Sequence, residues 1–495
     1  MLFNSLHFLL FFPIVVLIYF LIPKKARWVW LLIASYYYYM CWNAKYALLL
    51  AGTTLVSWLS GLLISNCAGK PNEKTLKKLW VALSLVLNLG VLFLFKYFDF
   101  GLDFLNRVLG LLRLGPVTVQ LELLLPVGIS FYILQEVSYT MDVYRGDVAV
   151  ERNPFRYALF VSFFPQLLAG PIDRSKDLLA QFSEEHTFDY DRVKRGLWLM
   201  LWGYFQKLVI ADRAAIYVNT VFGDPQIYRY GGVVNVIAMF FNIFQIYADF
   251  AGYSNLAQGA AEVLGFRLTT NFVRPFFSDN ITELWKRWHV SLSRWFISYL
   301  YIPLGGSRRG RIRRYINIMI IFLVSGLWHG ANWTYLVWGG LNGLILIIEN
   351  LLTPLYRKIR GLLKFDDSSA GWKCVQSVYV MTLFALTVVV FRADSITQAR
   401  EFFGGLRYLN AYKLFNGAIF EYGLDRANFL LAVLALGTQF VVSFLQRGGT
   451  SLRSRIEAQP LAVRWTLILG GIAAVVLFGI YGPGFDAGNF VYLQF

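Results

Sequence analysis

Residues 311–332 read RIRRYINIMIIFLVSGLWHGAN: three arginines, a nearly unbroken apolar run, and a histidine followed by Gly330 and Asn332. A long apolar run opened by clustered positive charge reads as a membrane span held at one face by its basic end. His329 stands 15 residues beyond Arg314, about 22 Å along a helix, which carries an ionisable ring deep into hydrocarbon. Such side chains are costly there and mark function by default; the plain alternative is a hydrogen-bonded packing histidine.

The rest of the chain agrees with that reading. Its 495 residues are 57% hydrophobic and only 15% charged, against about 25% charged in soluble domains, so a soluble enzyme is excluded. The net charge is +17. Residues 24–27, 70–78, 357–373 and 447–464 carry +3 each and 308–314 carry +5, so five short loops hold the whole excess. This is positive-inside patterning. A nucleic-acid partner would call for basic and aromatic residues interleaved on one face, which the chain lacks. Cys41, Cys67 and Cys374 lie in or beside apolar stretches with no CxxC, and read as structural.

Apolar runs near 7–23, 28–42, 46–65, 79–98, 157–171, 197–217, 232–251, 315–332, 335–349, 372–391, 428–446 and 465–482 predict an all-α polytopic protein of roughly 11–12 transmembrane helices. The first lacks a basic leader and a small-residue cleavage site, so it reads as a retained span. Placing the basic loops in the cytoplasm puts the N-terminus and the tail at 485–495 outside. The stretch 100–310 is cut by prolines into short apolar pieces with embedded polar residues, the pattern of re-entrant or interfacial helices around a cavity. The expected organisation is one integral-membrane domain over 1–495, with N-terminal helices in 1–100, a catalytic core in 120–345 and C-terminal helices in 372–482.

Of four histidines, His289 is the second in a suggestive setting. It lies in Ile281-Thr-Glu-Leu-Trp-Lys-Arg-Trp-His-Val-Ser-Leu-Ser-Arg-Trp295, where helical spacing puts Trp285, Trp288, His289, Leu292 and Trp295 near one face and Lys286, Arg287 and Arg294 towards another. One amphipathic interfacial helix is expected, either bearing a functional histidine or forming an aromatic belt with a bystander. The chain has no GxxxxGK[ST] loop, HExxH helix, GxSxG elbow or metal-ligand spacing, and His289 is followed by Val-Ser-Leu-Ser-Arg in place of an HxxxxD arrangement. What remains is a histidine acting as general base in a buried polar pocket, which suits transfer to a hydroxyl.

Eight ordered motifs then carry a resemblance: Pro126-Val-Gly-Ile-Ser-Phe-Tyr132, Met141-Asp-Val-Tyr-Arg-Gly146, Phe164-Pro-Gln-Leu-Leu-Ala-Gly-Pro-Ile172, Tyr247-Ala-Asp-Phe-Ala-Gly-Tyr-Ser254, Asn271-Phe-Val-Arg-Pro275, the 285–292 stretch, Tyr299-Leu-Tyr-Ile-Pro-Leu-Gly-Gly306 and Ser325-Gly-Leu-Trp-His-Gly330. The chain closely resembles the membrane-bound O-acyltransferase (MBOAT) family, in particular its bacterial alginate O-acetyltransferase-like branch, over its whole length. The resemblance implies helices ringed around a central tunnel, with His329 at the family's invariant histidine and His289 at its second polar catalytic position. The chain departs from the branch at Asn255, at Val273 and in 296–299, which touches the cavity lining and a loop and leaves the histidines in place.

The ending Phe490-Val-Tyr-Leu-Gln-Phe495 is similar to the C-terminal acyl-relay motif of envelope-polymer acylation systems. A tyrosine hydroxyl has pKa ≈ 10 and needs a base, so the resemblance makes Tyr492 an acyl carrier served by His329; by position alone it is equally an aromatic interface anchor. A cytoplasmic thioester such as acetyl-CoA is the implied donor substrate, with no bound cofactor and no metal. Arg308, Arg309, Arg311, Arg313 and Arg314 would suit its phosphates, although topology alone accounts for them. Asp249, Arg174 and Asn332 are polar residues in apolar surroundings that either line the tunnel or satisfy helix ends.

The implied function is O-acetylation of an extracellular, alginate-like polysaccharide from the bacterial plasma (inner) membrane. An extracytoplasmic SGNH-hydrolase-type partner would complete transfer to the polysaccharide, with membrane lipid around the protein and no nucleic acid involved. Acylation of peptidoglycan, cellulose or teichoic acid is the alternative within the class. A transporter of lipid-linked sugar is the alternative outside it, and would call for two related halves with paired broken helices.

Overall fold

The computed structural model describes residues 1–481, apart from 120, 122, 364, 365, 367, 368 and 447–451. Among the described residues every regular element is helical. Seven helices among these residues are long and apolar enough to cross a membrane, and each coincides with one of the dozen apolar runs of the sequence. The remaining runs are helices that are shorter, carry charge or bend. The run at 157–171 is the exception, because Pro165 and Gly170 divide it into short buried pieces.

The chain forms two compact units. The first comprises 1–197 and 256–269. It holds α1 (Leu6–Leu21), α2 (Arg27–Met40), α3 (Ala44–Ser65), α4 (Glu73–Leu92), α5 (Phe98–Leu111), α6 (Ile129–Arg145) and α7 (Pro154–Ser162). Local sequence sets their ends. Asn43 accepts from the Lys45 N–H at the start of α3, and Asn153 accepts from Phe155 and Arg156 while Pro154 occupies the first helical position of α7. Gly128 stands at φ +79° before α6, where a Cβ would lie 2.5 Å from the Leu167 carbonyl oxygen; only glycine permits that approach.

The centre of this unit is α6, nearly all of whose side chains are buried. Its Glu136 carboxylate oxygen accepts from the hydroxyls of Thr53 and Thr54 on α3, each at 3.1 Å. Asp142 accepts from Ser175, and the buried Phe164 N–H donates to Ser35. The motifs beginning at Pro126, Met141 and Phe164 therefore hold helix crossings in this unit. Arg174 pairs with Asp177 at 3.3 Å on its own short helix, which makes it a local surface contact.

The second unit comprises 198–255 and, among the described residues, 270–481. The unit boundaries fall inside α8 (Tyr190–Tyr204) and α10 (Val233–Leu264). After α8 the backbone widens into π-helical turns at Phe205–Ala211 and tightens again in α9 (Asp212–Gly223). The stretch 100–310, expected to be short interrupted pieces, thus contains in α10 an apolar helix of 32 residues. There follow α11 (Ile281–Arg287), α12 (Val290–Phe296), α13 (Arg311–His329), α14 (Trp333–Leu363), α15 (Ala370–Arg392), α16 (Ile396–Gly405), α17 (Arg426–Leu445) and α18 (Leu461–Phe478).

Helices α13 and α14 form a hairpin whose backbones nearly touch. A Cβ on Gly326 would lie 2.2 Å from the Tyr335 carbonyl oxygen, and one on Gly339 2.2 Å from that of Phe322. The turn is made by Gly330, Ala331 and Asn332, whose side chain accepts from the Thr334 N–H to cap α14 and donates to the Asp394 carbonyl. Asn332 therefore satisfies a helix end. Outward faces carry the apolar excess: Leu48 is 79% exposed, Leu434 68% and Leu477 72%, a surface that only lipid solvates well.

Candidate active site

The expected single helix over 281–295 is two helices. Asn280 caps α11 by accepting from the Glu283 N–H, and the Ile281 and Thr282 N–H groups and the Thr282 hydroxyl donate to Glu349 of α14 at 2.7, 3.0 and 2.8 Å. The chain then leaves the helix at Trp288, in extended geometry, and His289 takes φ +45°, ψ +56° before α12 begins. A non-glycine residue in this left-handed region is held there by its surroundings, at a cost of order 1–3 kcal/mol.

The restraint comes from the strap at 271–273. The Val290 N–H donates to the Asn271 carbonyl at 2.9 Å and the Val273 N–H to the Arg287 carbonyl at 2.9 Å, so the strap pairs with both sides of the break. Asn271 is fully buried; its side-chain oxygen accepts from the Ser291 N–H and its nitrogen donates to Ser254 on α10. Helical periodicity alone hides this break, because the local pattern is amphipathic while the hydrogen bonds that interrupt it come from elsewhere in the chain.

The other histidine ends α13. The sequence places His329 inside a span running to 332, whereas the helix stops at His329 and the ring sits at the hairpin turn. It is packed by Trp338 and Phe391, each with ring centroids 5.2 Å away, and by Trp328 at 5.0 Å. His289 stands edge-on to Phe250 at 4.7 Å and tilted to Trp328 at 5.9 Å. Both histidines are buried, 3% and 5% exposed.

Both also line one cavity of about 300 Å³. Along α13 its wall is formed by Arg314, Ile318, Ile321, Phe322, Ser325 and His329, a single helical face. The cavity therefore follows that face for ~22 Å, from a guanidinium to an imidazole. Lys286 joins Arg314 in the lining, and Asn350, which accepts from the Arg314 guanidinium at 2.8 Å, orients it. Of the five clustered arginines only Arg314 lines this cavity. Between the charged groups the wall is apolar and aromatic. A cavity lined by Arg314, Lys286 and two imidazoles amid mostly apolar and aromatic side chains suits a substrate with an anionic head and an apolar arm.

The residues at 150–391 match the family model for MBOAT, the membrane-bound O-acyltransferase family. The whole chain is 35% identical over 492 residues to a probable alginate O-acetylase AlgI of Pseudomonas putida, covering 97% of this chain and 96% of that protein. The chain belongs to the membrane-bound O-acyltransferase family. It is also 32% identical to a peptidoglycan O-acetyltransferase of Helicobacter pylori, over 84% of this chain and 81% of that one. Similarity to a teichoic acid D-alanyltransferase of Bacillus subtilis is 26% over 48% of the chain. The protein is thus a multi-pass membrane O-acyltransferase. In this member of the family the histidine-lined cavity sits wholly within the second unit.

Tyr492 lies outside the described residues. Nothing in the sequence marks Asn271 as the clasp of the His289 break, although it opens one of the motifs that carry the family resemblance; nor does anything mark Glu349 as the anchor of α11. Asn280 and Glu283, a helix-start pair at the right spacing, are the legible signal for the start of that helix.

Proposed function

We propose that the protein passes an acetyl group from a cytoplasmic thioester, acetyl-CoA in the simplest case, across the plasma (inner) membrane for O-acetylation of an alginate-like exopolysaccharide. The observation that carries this reading is the single cavity joining Arg314 and Lys286 to His289 and His329. Anionic phosphates of the donor pair with the two cations, the apolar slot takes its extended arm, and the thioester meets the histidines. Positive-inside patterning of the loops around α13 and α14 supports a cytoplasmic mouth, with both chain termini on the outer side.

In the chemical step His329 removes the proton of an attacking hydroxyl, the oxygen bonds to the thioester carbonyl carbon, and the thiolate leaves and takes up that proton. Tyr492 supplies the hydroxyl and carries the acetyl as an ester. An extracytoplasmic SGNH-hydrolase-type partner then moves it to the polymer. The relatives named for alginate support the choice of polymer, and the peptidoglycan-modifying relative supplies the competing one.

Reconstitution with isotopically labelled acetyl-CoA on the basic-loop side is expected to leave acetyl on Tyr492, detected by mass spectrometry of the tail. Tyr492→Phe abolishes that label; an unlabelled wild-type tail in a preparation that still acetylates an acceptor rejects the relay. Arg314→Ala is expected to raise KM for acetyl-CoA about 10-fold with little change in kcat, because it removes binding made equally in ground and transition states. An unchanged KM removes Arg314 from the donor site.

A further inference from the structure

The second unit buries a charge cluster away from the cavity lining. Lys207, on the π-helical segment, places its ammonium 2.6 Å from Asp249 of α10 and 2.9 Å from Asp212 at the start of α9. All three side chains are at most 6% exposed. Two carboxylates and one ammonium inside an apolar bundle are a poor choice for stability alone, since well-packed apolar residues serve as well or better. Ionisable groups within membrane helices ordinarily have another task.

The geometry of α10 indicates the task. Tyr247, Phe250 and Ser254 share one side of it and face the broken helix. Phe250 meets His289 edge-on, Tyr247 packs on Phe272, Phe276 and Trp288, and Ser254 accepts from Asn271. Asp249 and Gly252 lie on the opposite side. A Cβ on Gly252 would meet the Gly203 carbonyl oxygen at 2.8 Å and the Lys207 backbone nitrogen at 3.0 Å, so the two backbones are in direct contact there. One turn further, Asn255 donates to Gln206 at 2.6 Å, and Gln206 donates to Gln439 of α17 at 2.9 Å. One side of α10 is thus fixed to the π-helical segment by charge and close backbone approach, the amide chain reaches both Asn255 and, through Gln439, the Tyr247 hydroxyl, and the other side sets the surroundings of His289.

We infer that Lys207, with Asp249 and Asp212, is a positioning clamp for the acyl-transfer site: it fixes the rotation and depth of α10 and thereby the Phe250 ring against which His289 is aligned. The inference rests on the reading of His289 and His329 as the site. A clamp of this kind acts on the alignment of the reacting groups and leaves Arg314, at the other end of the α13 face from His329, untouched.

Purified full-length protein in liposomes, assayed for transfer from acetyl-CoA, tests it. Lys207→Met and Asp249→Asn are expected to lower kcat about 10- to 100-fold with KM for acetyl-CoA within about twofold of wild type. Lys207→Arg, and the exchanged pair Lys207→Asp with Asp249→Lys, are expected to recover at least part of the loss. Thermal unfolding of each variant corrects for folded protein; where Lys207→Met does not fold, Asp249→Asn and Lys207→Arg decide the matter. Wild-type kcat in Lys207→Met or Asp249→Asn, a KM that rises in step with falling kcat, or a loss that matches the loss of folded protein each overturns the clamp. If His289→Ala and His329→Ala transfer normally, the site reading itself fails; if they are inactive while Lys207→Met is normal, only the clamp fails.

Discussion

His329→Ala is expected to slow acyl transfer by roughly 10²- to 10⁴-fold, the range a positioned general base supplies, with KM for the thioester nearly unchanged. The ring occupies the last helical position of α13 at the far end of the cavity from Arg314, so removing it leaves the donor's anionic contacts intact. Its aromatic neighbours Trp338 and Phe391 hold one ring orientation and exclude water, which is what a base needs to take a hydroxyl proton in competition with solvent. Single-turnover transfer from labelled acetyl-CoA separates this loss from a binding defect. A variant that transfers at the wild-type rate removes His329 from the chemistry. His329→Gln, which keeps much of the size but cannot serve as the base, is expected to be as slow as His329→Ala; recovery by glutamine would indicate a hydrogen-bonding role instead.

Asn271→Leu is expected to cost about 10²-fold in transfer together with a measurable loss of stability. The side chain is fully buried and joins three segments: the strap, the start of α12 through the Ser291 N–H, and α10 through Ser254. Leucine fills a similar volume but leaves those partners unsatisfied in an apolar interior, at about 1–3 kcal/mol each. The left-handed geometry of His289 is sustained only by such surroundings, so relaxation of the break moves the imidazole, and ~1 Å of misplacement is enough for a 10²-fold loss. Thermal unfolding and transfer kinetics on the same preparation check both parts. A fully active, destabilised variant would confine Asn271 to folding.

Much of this protein can be read from the chain. The apolar runs, the basic loops and the motifs carry fold class and family, because burial in lipid imposes composition and period on sequence directly. The two histidines are legible for a related reason: an imidazole amid that much hydrocarbon is an exception needing explanation. Asp249 stands out in the same way, but its partner Lys207 lies about 40 residues earlier, and local pattern does not announce a pairing across helices.

What the sequence by itself determined is therefore the helical, membrane-spanning character of the chain, its acyltransferase family and the identity of the unusual side chains, all properties of local composition and ordered motifs. Tertiary structure alone decided that 281–295 is broken at His289, that His329 lies at a hairpin turn, that Arg314 shares their cavity, and that Lys207 pairs with Asp249 of α10. The physical reason is common to all four. Each depends on hydrogen bonds, ion pairs or backbone contacts between segments distant in sequence, and helical periodicity records the faces a segment presents without recording what meets them.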